Sequence, residues 1–190
     1  GLISGVAYAV KSLNPRVKVY GVQAENAPSM AESLRRGEGV TLDTVETFAD
    51  GIAVKHPGNT TLSIVREYVD EVFTVSEDEI AAAILALMEK QKLVAEGAGA
   101  VGVAAALFGK LPVKDKKVVC VVSGGNIDVN ILSRVITRGL IASGRNTTLQ
   151  IALEDKPGQL LGVSRIVSEC GANVTSVHYE PSSVNMAVTS

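Results

Sequence analysis

The segment SGGN at residues 123–126 combines a hydroxyl group with two glycines at a position where ligands often bind. It follows the apolar run KVVCVV at 117–122, which is typical of a buried strand, and it precedes a helical pattern. Open parallel sheets bind ligands outside the carboxyl ends of their strands. The Ser123 hydroxyl can donate or accept a hydrogen bond, and glycines let a ligand approach the backbone closely. Ligand binding and a tight strand-to-helix connection capped by Ser123 are equally favoured.

Two other glycine-led segments could carry chemistry. Gly1 and Leu2 lead directly into a helical pattern, and the free amides of a helix amino terminus bind anions. GAGAVG at 97–102 has the spacing G-x-G-x-x-G, but no convincing strand precedes it, so close helix packing explains it better than dinucleotide binding. Glu96 is the one carboxylate in this apolar stretch, and a buried carboxylate needs a partner. It is a candidate site residue or the cap of the next helix.

The cysteines and histidines do not form a metal-ligating pattern. Cys120 and Cys170 are the only cysteines, and each lies in an apolar context that predicts a buried free thiol. The two histidines, His56 and His178, are too few for a histidine-rich metal site.

The elements that must position these residues alternate between helices and short apolar strands. Helical patterns cover 3–14, 27–37, 61–69, 77–93, 97–108 and 128–141, and strand patterns cover 17–23, 70–76 and 117–122. Ser76 and Glu79 form a capping box at the start of the long fourth helix. This alternation predicts an α/β domain with a largely parallel sheet over residues 1–143.

A second, smaller module is predicted from residue 146 to residue 190. Strand patterns at 148–155 and 173–180 flank an amphipathic helix that ends at Gly171, and SSVNMAVTS at 182–190 is a candidate third strand. Leu160, Val163, Ile166 and Val167 share one face of that helix, and Pro157 suits its first turn. The turn at 155–158 is either structural or the wall of an effector pocket.

Composition excludes several classes of protein. Among 190 residues 46% are hydrophobic, which supports a packed core and argues against disorder. The formal net charge of -2, with no basic block, argues against nucleic-acid binding. The longest charge-free apolar run, at 97–109, is too short to span a bilayer, and the first residues do not have the pattern of a secretory signal. These absences favour a cytoplasmic location.

Five motifs, taken in order, resemble one family. They are GLISGVA, VYGVQAENAPSM, TFADGIAVKHPG, VAEGAGAVGVAAAL and VVSGGNIDVN. The family is that of the pyridoxal-phosphate-dependent threonine (serine) dehydratases of the catabolic kind. The resemblance implies the carboxyl-terminal part of a fold-type-II, three-layer α/β domain, similar to the tryptophan synthase β subunit. Residues 146–190 resemble a truncated ACT domain, an α+β module that binds amino-acid effectors.

The resemblance implies pyridoxal 5'-phosphate as the cofactor and assigns five residues to it. Gly1 and Leu2 match the end of the loop that holds the cofactor phosphate, and Ser123 matches the residue that hydrogen-bonds the pyridine nitrogen. Glu96 and Gly51 match positions near the ring. The implied reaction converts L-threonine to 2-oxobutanoate, or L-serine to pyruvate, with release of ammonia.

The chain departs from the family pattern in two ways. The Schiff-base lysine lies upstream in the family and is absent here, and neither Lys55 nor Lys110 matches it, so we expect residues 1–190 to be inactive alone. Gln23 and Ser29 stand where some relatives carry metal-binding acids, and this neutral pair predicts no divalent metal.

The resemblance also has implications for regulation and assembly. Gly158 and Asn173 match effector-contact positions of the ACT-like module, with isoleucine or valine as a possible effector. A homo-oligomer, either a dimer or a tetramer, is expected. Two other functions remain open: a stand-alone amino-acid-binding regulatory fragment and a serine racemase-like enzyme.

Overall fold

The computed structural model describes residues 1–179 of the chain. By its internal contacts the chain divides into two compact units, Gly1–Thr147 and a second that begins at Thr148. The candidate third strand at 182–190 lies outside the described residues. No helix in the described part of the chain has both the length and the apolar character needed to cross a membrane.

The first unit alternates helices with two strands, largely as predicted. Its elements are α1 (Leu2–Leu13), β1 (Tyr20–Ala24), α2 (Ser29–Arg36), α3 (Asn59–Tyr68), β2 (Glu71–Val75), α4 (Glu77–Ala86), α5 (Gly97–Leu107) and α6 (Val129–Ala142). A 3₁₀ turn, Asp50–Ile52, interrupts the predicted loop between α2 and α3. The long helix predicted over 77–93 is divided, because α4 passes into a π-helical turn at Leu87–Gln91 that closes at Lys92 with φ 58°.

The sheet is parallel but has only two strands among the described residues. β1 and β2 pair in register from Tyr20 opposite Glu71 to Ala24 opposite Val75. The prediction of a buried strand at 117–122 was wrong: the segment forms no strand, and Val119 is 90% exposed. A strand needs the backbone N–H and C=O groups of a neighbour, and no described strand lies beside this one. The apolar composition of residues 117–122 shows that the segment could form a buried strand. It does not show whether a partner strand lies beside it.

The core of the first unit is centred on α4, which packs against α5 on one side and α6 on the other. Ile80 and Ile84 are fully buried on this helix, and the small residues Ala100 and Ala104 of α5 face the same core. The predicted capping box is confirmed, since the Ser76 side chain accepts from the Glu79 N–H and the Glu79 carboxylate accepts from the Ser76 N–H. It fixes the start of α4 directly after the carboxyl end of β2.

A charged cluster around Asp70 lies at the amino ends of β1 and β2 and connects them to α1. The Asp70 carboxylate accepts hydrogen bonds from Lys11 Nζ at 2.6 Å, from Lys18 Nζ at 2.8 Å and from the Val19 N–H at 2.8 Å. Burial alone would raise the pKa of Asp70, but these three donors outweigh it and hold the pKa well below its usual range.

Asp70→Asn is expected to lower the free energy of unfolding by about 2 kcal/mol near neutral pH. Because the folded pKa is depressed, this contribution is present above the unfolded pKa of about 4 and is lost as the pH falls through the folded value. Urea unfolding at neutral and at acidic pH measures the free energy of unfolding of variant and wild type. The difference between the two free energies should shrink in acid. Glu32→Gln, which removes an exposed ion pair to Arg35, is the control and should change stability by less than about 1 kcal/mol. An equal loss in both variants would contradict the role of Asp70.

The second unit contains one helix among its described residues, α7 (Gln159–Glu169). The stop predicted at Gly171 is confirmed by its φ of 72° directly after the helix. Pro157 does not lie in the first helical turn, because Gly158, with φ 91°, is the N-cap. The strands predicted at 148–155 and 173–180 do not form over their described residues.

The apolar face of α7 is left uncovered as a consequence. No residue of α7 is buried, and Leu160 and Ile166 are more than half exposed. Cys170 is exposed, so the prediction of a buried thiol was wrong there. The exposure of the α7 face and that of Cys170 have the same cause. An amphipathic helix buries its apolar face against a sheet, and no strands pair beside α7 in the described part of this unit.

Candidate functional site

The SGGN loop at 123–126 is held against the amino end of α5 by hydrogen bonds to Glu96. The Glu96 N–H donates to the Gly124 carbonyl at 3.1 Å, and the Asn126 N–H donates to Glu96 Oε2 at 3.1 Å. Glu96 is itself the N-cap residue of α5, although its side chain does not cap the helix. A half-buried carboxylate in apolar surroundings needs a hydrogen-bond donor, and the SGGN loop supplies one to Glu96 through the Asn126 N–H.

The loop can approach α5 this closely because glycines line the contact. A Cβ atom on Gly99 would lie 2.8 Å from the Gly124 carbonyl oxygen, and one on Gly125 would lie 2.8 Å from the Val94 carbonyl oxygen. Non-bonded contacts of a Cβ atom are essentially never this short, so a side chain at either position would displace backbone. The close packing predicted for the G-x-G-x-x-G segment is thus present at Gly97 and Gly99, whereas a Cβ atom on Gly102 would meet nothing within 4 Å.

Gly51 reaches the same cluster from the 3₁₀ turn. A Cβ atom at Gly51 would lie 3.0 Å from Ala98 Cβ and 3.6 Å from Glu96 Oε1. The structure therefore brings together Gly51, Glu96 and the loop that begins at Ser123, three of the predicted cofactor-binding residues. Ser123 is exposed, and its hydroxyl makes no hydrogen bond within residues 1–179.

Gly1 and Leu2 belong to a different contact. Gly1 is the N-cap of α1, no side chain caps its amides, and Leu2 is 60% exposed. α1 packs against α3, where Ser4 Oγ donates to the Thr61 carbonyl at 3.5 Å. Within the described residues no hydrogen bond joins Gly1 or Leu2 to the Glu96 cluster.

The two lysines of interest are engaged elsewhere. Lys55 Nζ donates to the Asp43 carbonyl at 2.9 Å, and Lys110 Nζ pairs with Glu79 at 3.0 Å. That neither lysine replaces the family's lysine stays a prediction.

The Gln23 side chain has structural partners, and Ser29 is buried. Gln23 Nε2 donates to the Ala27 carbonyl at 3.2 Å, and Gln23 Oε1 accepts from the Ala31 N–H at 2.9 Å. Ser29 is 1% exposed at the start of α2. The amide thus ties the turn after β1 to the first turn of α2. Over residues 1–179 no group of three or more His, Cys, Asp or Glu side chains is placed to hold a metal ion.

The two predicted effector residues lie in the second unit. Gly158 adopts φ 91° immediately before α7, and Asn173 is exposed after it. The hydrogen bonds of the described residues do not join them, so their role stays a prediction.

One buried acid escaped the sequence analysis. Glu77 is only 8% exposed, and its Oε2 accepts from the Phe48 N–H at 3.1 Å. Its only signal in the sequence is its place beside Asp78 and Glu79, where acids are favoured at any helix start.

An α/β fold that presents glycine-lined backbone and a free hydroxyl at one surface is typical of enzymes that bind a cofactor. Residues 1–124 match the family described as pyridoxal-phosphate dependent enzyme. The chain belongs to this family, and pyridoxal phosphate is the cofactor of the family.

Individual relatives agree with that assignment. The chain is 55% identical, over 99% of its length and 47% of the relative, to L-threonine ammonia-lyase of Thermotoga maritima. Among solved structures it is similar to the processed form of threonine deaminase isoform 2 from Solanum lycopersicum, with 37% identity over 72% of this chain and 38% of that one, and a TM-score of 0.67. It is also similar to maize serine racemase, with 34% identity over 75% and 45% of the two chains and a TM-score of 0.65.

These similarities confirm the predicted resemblance to the threonine dehydratases. The chain spans about half the length of the curated relatives it matches. The family match ends at residue 124, so it does not address the predicted ACT-like module.

The residues of the cluster fit the family's cofactor. A pyridine nitrogen needs one hydrogen-bonding group, and the Ser123 hydroxyl is exposed and has no partner among the described residues. Gly51 and Gly124 carry no side chain, and this leaves room for the Glu96 carboxylate beside both of them.

Proposed function

We propose that this chain forms the ring-binding side of a pyridoxal-phosphate-dependent ammonia-lyase that acts on L-threonine and L-serine. The products are 2-oxobutanoate or pyruvate, together with ammonia. The observation that carries the proposal is the meeting of Gly51, Glu96 and the SGGN loop in one glycine-lined cluster. The similarity to L-threonine ammonia-lyase over 99% of the chain supports the choice of substrate.

Each residue has a stated task in this proposal. The uncapped amides at Gly1 and Leu2, together with the α1 dipole, bind the cofactor phosphate. The Ser123 hydroxyl hydrogen-bonds the pyridine nitrogen, and Gly51 and Glu96 line the ring. When bound, the cofactor supplies an electron-withdrawing ring that acidifies the substrate's α-proton. A neutral serine keeps that withdrawal milder than a carboxylate would, which suits elimination over transamination.

The remaining parts of the proposal concern what lies beyond this cluster. The Schiff-base lysine is contributed from outside residues 1–190, so the chain alone is inactive. The second unit is an ACT-like module whose Gly158 and Asn173 contact an amino-acid effector, and the active form is a cytoplasmic homo-oligomer.

Two measurements on the holoenzyme test the proposed function. Borohydride reduction followed by mass analysis locates the cofactor, and product assays measure turnover. Reduction fixes bound pyridoxal phosphate onto its lysine. We expect the adduct outside residues 1–190, with L-threonine converted to 2-oxobutanoate and ammonia. An adduct on Lys55 or Lys110, or a holoenzyme without turnover of either amino acid, would contradict the proposal.

Two other functions give different results in the same experiment. The similarity to maize serine racemase favours racemisation as the second candidate, and D-serine formation from L-serine would identify it. A stand-alone amino-acid-binding fragment would bind amino acids without any cofactor absorbance.

A chelator is expected to leave turnover of the holoenzyme unchanged within about twofold. The reason is that Gln23 and Ser29 are neutral and therefore poor ligands for a hard cation, and that the Gln23 amide is already hydrogen-bonded within the protein. Turnover before and after chelation, with Mg²⁺ or Ca²⁺ added back, measures this. A loss that the added cation restores would show that a divalent metal is required.

A further inference from the structure

Glu77 is a buried carboxylate that the proposed chemistry does not use. It is the first residue of α4 and is 8% exposed. One oxygen, Oε2, accepts from the Phe48 N–H, and the other, Oε1, is buried without a hydrogen-bond partner in the described part of the chain. A half-satisfied buried carboxylate is costly, so its position calls for a specific reason.

The helix start alone does not supply that reason. Asp78 and Glu79 already place negative charge in the first turn of α4, and Ser76 with Glu79 completes the capping box. An acid that only complements the helix dipole has no need to be buried. What burial achieves for Glu77 is a contact with a distant segment, because Phe48 lies 29 residues earlier in the chain.

The segment that Glu77 holds leads directly to the candidate cofactor site. Ala49 follows Phe48, is fully buried, and its carbonyl accepts from the Ile52 N–H to close the 3₁₀ turn. Ala49 also packs on the first residue of α5, since a Cβ atom on Gly97 would lie 2.8 Å from Ala49 Cα. Gly51 lies inside this turn and faces Ala98 and Glu96.

We infer that Glu77 is a positioning residue that holds the turn at residues 48–52 against the amino end of α5 and so keeps Gly51 beside Glu96. The inference rests on the proposed function for its effect on the cofactor. Glu77 acts through the Phe48 N–H and does not itself touch the cofactor. What matters first is an acceptor oxygen at the reach of a glutamate side chain, because the contact is a single hydrogen bond from the Phe48 N–H.

Two conservative variants separate reach from charge. Glu77→Gln keeps an acceptor oxygen at the same distance and loses the charge, whereas Glu77→Asp keeps the charge and is one methylene too short. We expect Glu77→Asp to speed amide hydrogen exchange of the Phe48 segment roughly tenfold and to raise the Kd for pyridoxal phosphate by a similar factor, the effect of one lost hydrogen bond. Glu77→Gln replaces a charge-assisted hydrogen bond with a weaker neutral one but keeps the acceptor, so we expect it to be impaired less than Glu77→Asp in both measurements.

Glu46→Gln is the matched control, because it removes the same charge from an exposed position two residues before Phe48. Glu46→Gln should change neither the amide hydrogen exchange of the Phe48 segment nor the Kd for pyridoxal phosphate. If Glu77→Gln is impaired as much as Glu77→Asp or more, or if Glu77→Asp behaves as wild type, the inference is wrong. A wild-type holoenzyme without pyridoxal phosphate would instead refute the proposed function, and exchange at Phe48 would still decide whether Glu77 holds the turn.

Discussion

Gly99→Ala is expected to weaken pyridoxal phosphate binding by the holoenzyme at least fivefold and to destabilise the protein. The added Cβ atom would lie 2.8 Å from the Gly124 carbonyl oxygen and 3.0 Å from the Gly124 nitrogen. Both are backbone atoms, so no side-chain rotation relieves the overlap. The SGGN loop must move, and its hydrogen bonds to Glu96 weaken with it. Overpacking of this kind costs about 1–3 kcal/mol, which corresponds to a five- to hundredfold change in an equilibrium.

The sign of this effect is opposite to what helix propensity predicts. Alanine is favoured over glycine inside a helix by about 1 kcal/mol, so Gly→Ala in α5 should stabilise wherever there is room. Gly102 provides that room in the same helix, because a Cβ atom added there would meet nothing within 4 Å. Gly102→Ala is therefore the control and should be neutral or stabilising. Urea unfolding and titration with pyridoxal phosphate compare the two, and equal behaviour of both variants would exclude the loop contact as the cause.

The structure also indicates how the loop and the turn depend on one another. Glu96 receives the SGGN loop through the Asn126 N–H on one side and faces Gly51 on the other. The two segments come from distant parts of the chain, and neither contains a regular element long enough to fix its own position. Their geometry is set by the amino end of α5, which is anchored in the core through Ala100 and Ala104. The positions of the SGGN loop and of the turn at residues 48–52 therefore depend on the position of the amino end of α5.

Local signals in the sequence predicted helix limits well. The capping box at Ser76 and the glycine stop at Gly171 act through their own backbone and nearest neighbours, so they can be predicted without knowledge of the fold. The strand predicted at 117–122 failed for the converse reason. Pairing is a property of two segments, and an apolar pattern describes only one of them.

The candidate site shows the same division. Ser123, Glu96 and Gly51 could be proposed as site residues because motifs resembling a known family surround them, and the structure brings Gly51, Glu96 and the SGGN loop together. Glu77 could not, because nothing in its neighbourhood along the chain distinguishes a buried acid from an exposed one at a helix start. Its partner, the Phe48 N–H, is a backbone group and has no signature in the sequence at all.

Ser123→Ala is expected to lower the turnover of L-threonine by the holoenzyme roughly ten- to hundredfold. The change removes the only polar group of the side chain and leaves the fold intact, because Ser123 is exposed and its hydroxyl supports no other residue among those described. In the proposed function that hydroxyl is the partner of the pyridine nitrogen. Leaving a polar group without its hydrogen-bond partner costs about 1–3 kcal/mol, and the stated range corresponds to the middle of this interval.

Ser123→Thr separates the hydroxyl from the size of the side chain, since it keeps the donor and acceptor and adds only a methyl group at an exposed position. It should retain turnover within about threefold, and the absorbance of its bound cofactor should match that of wild type, whereas the absorbance of Ser123→Ala should shift. Steady-state rates, cofactor spectra and urea unfolding of the three proteins make the comparison. If Ser123→Ala retains full turnover and an unchanged spectrum at wild-type stability, Ser123 does not contact the ring, and the SGGN loop is a strand-to-helix connection whose glycines serve packing against α5.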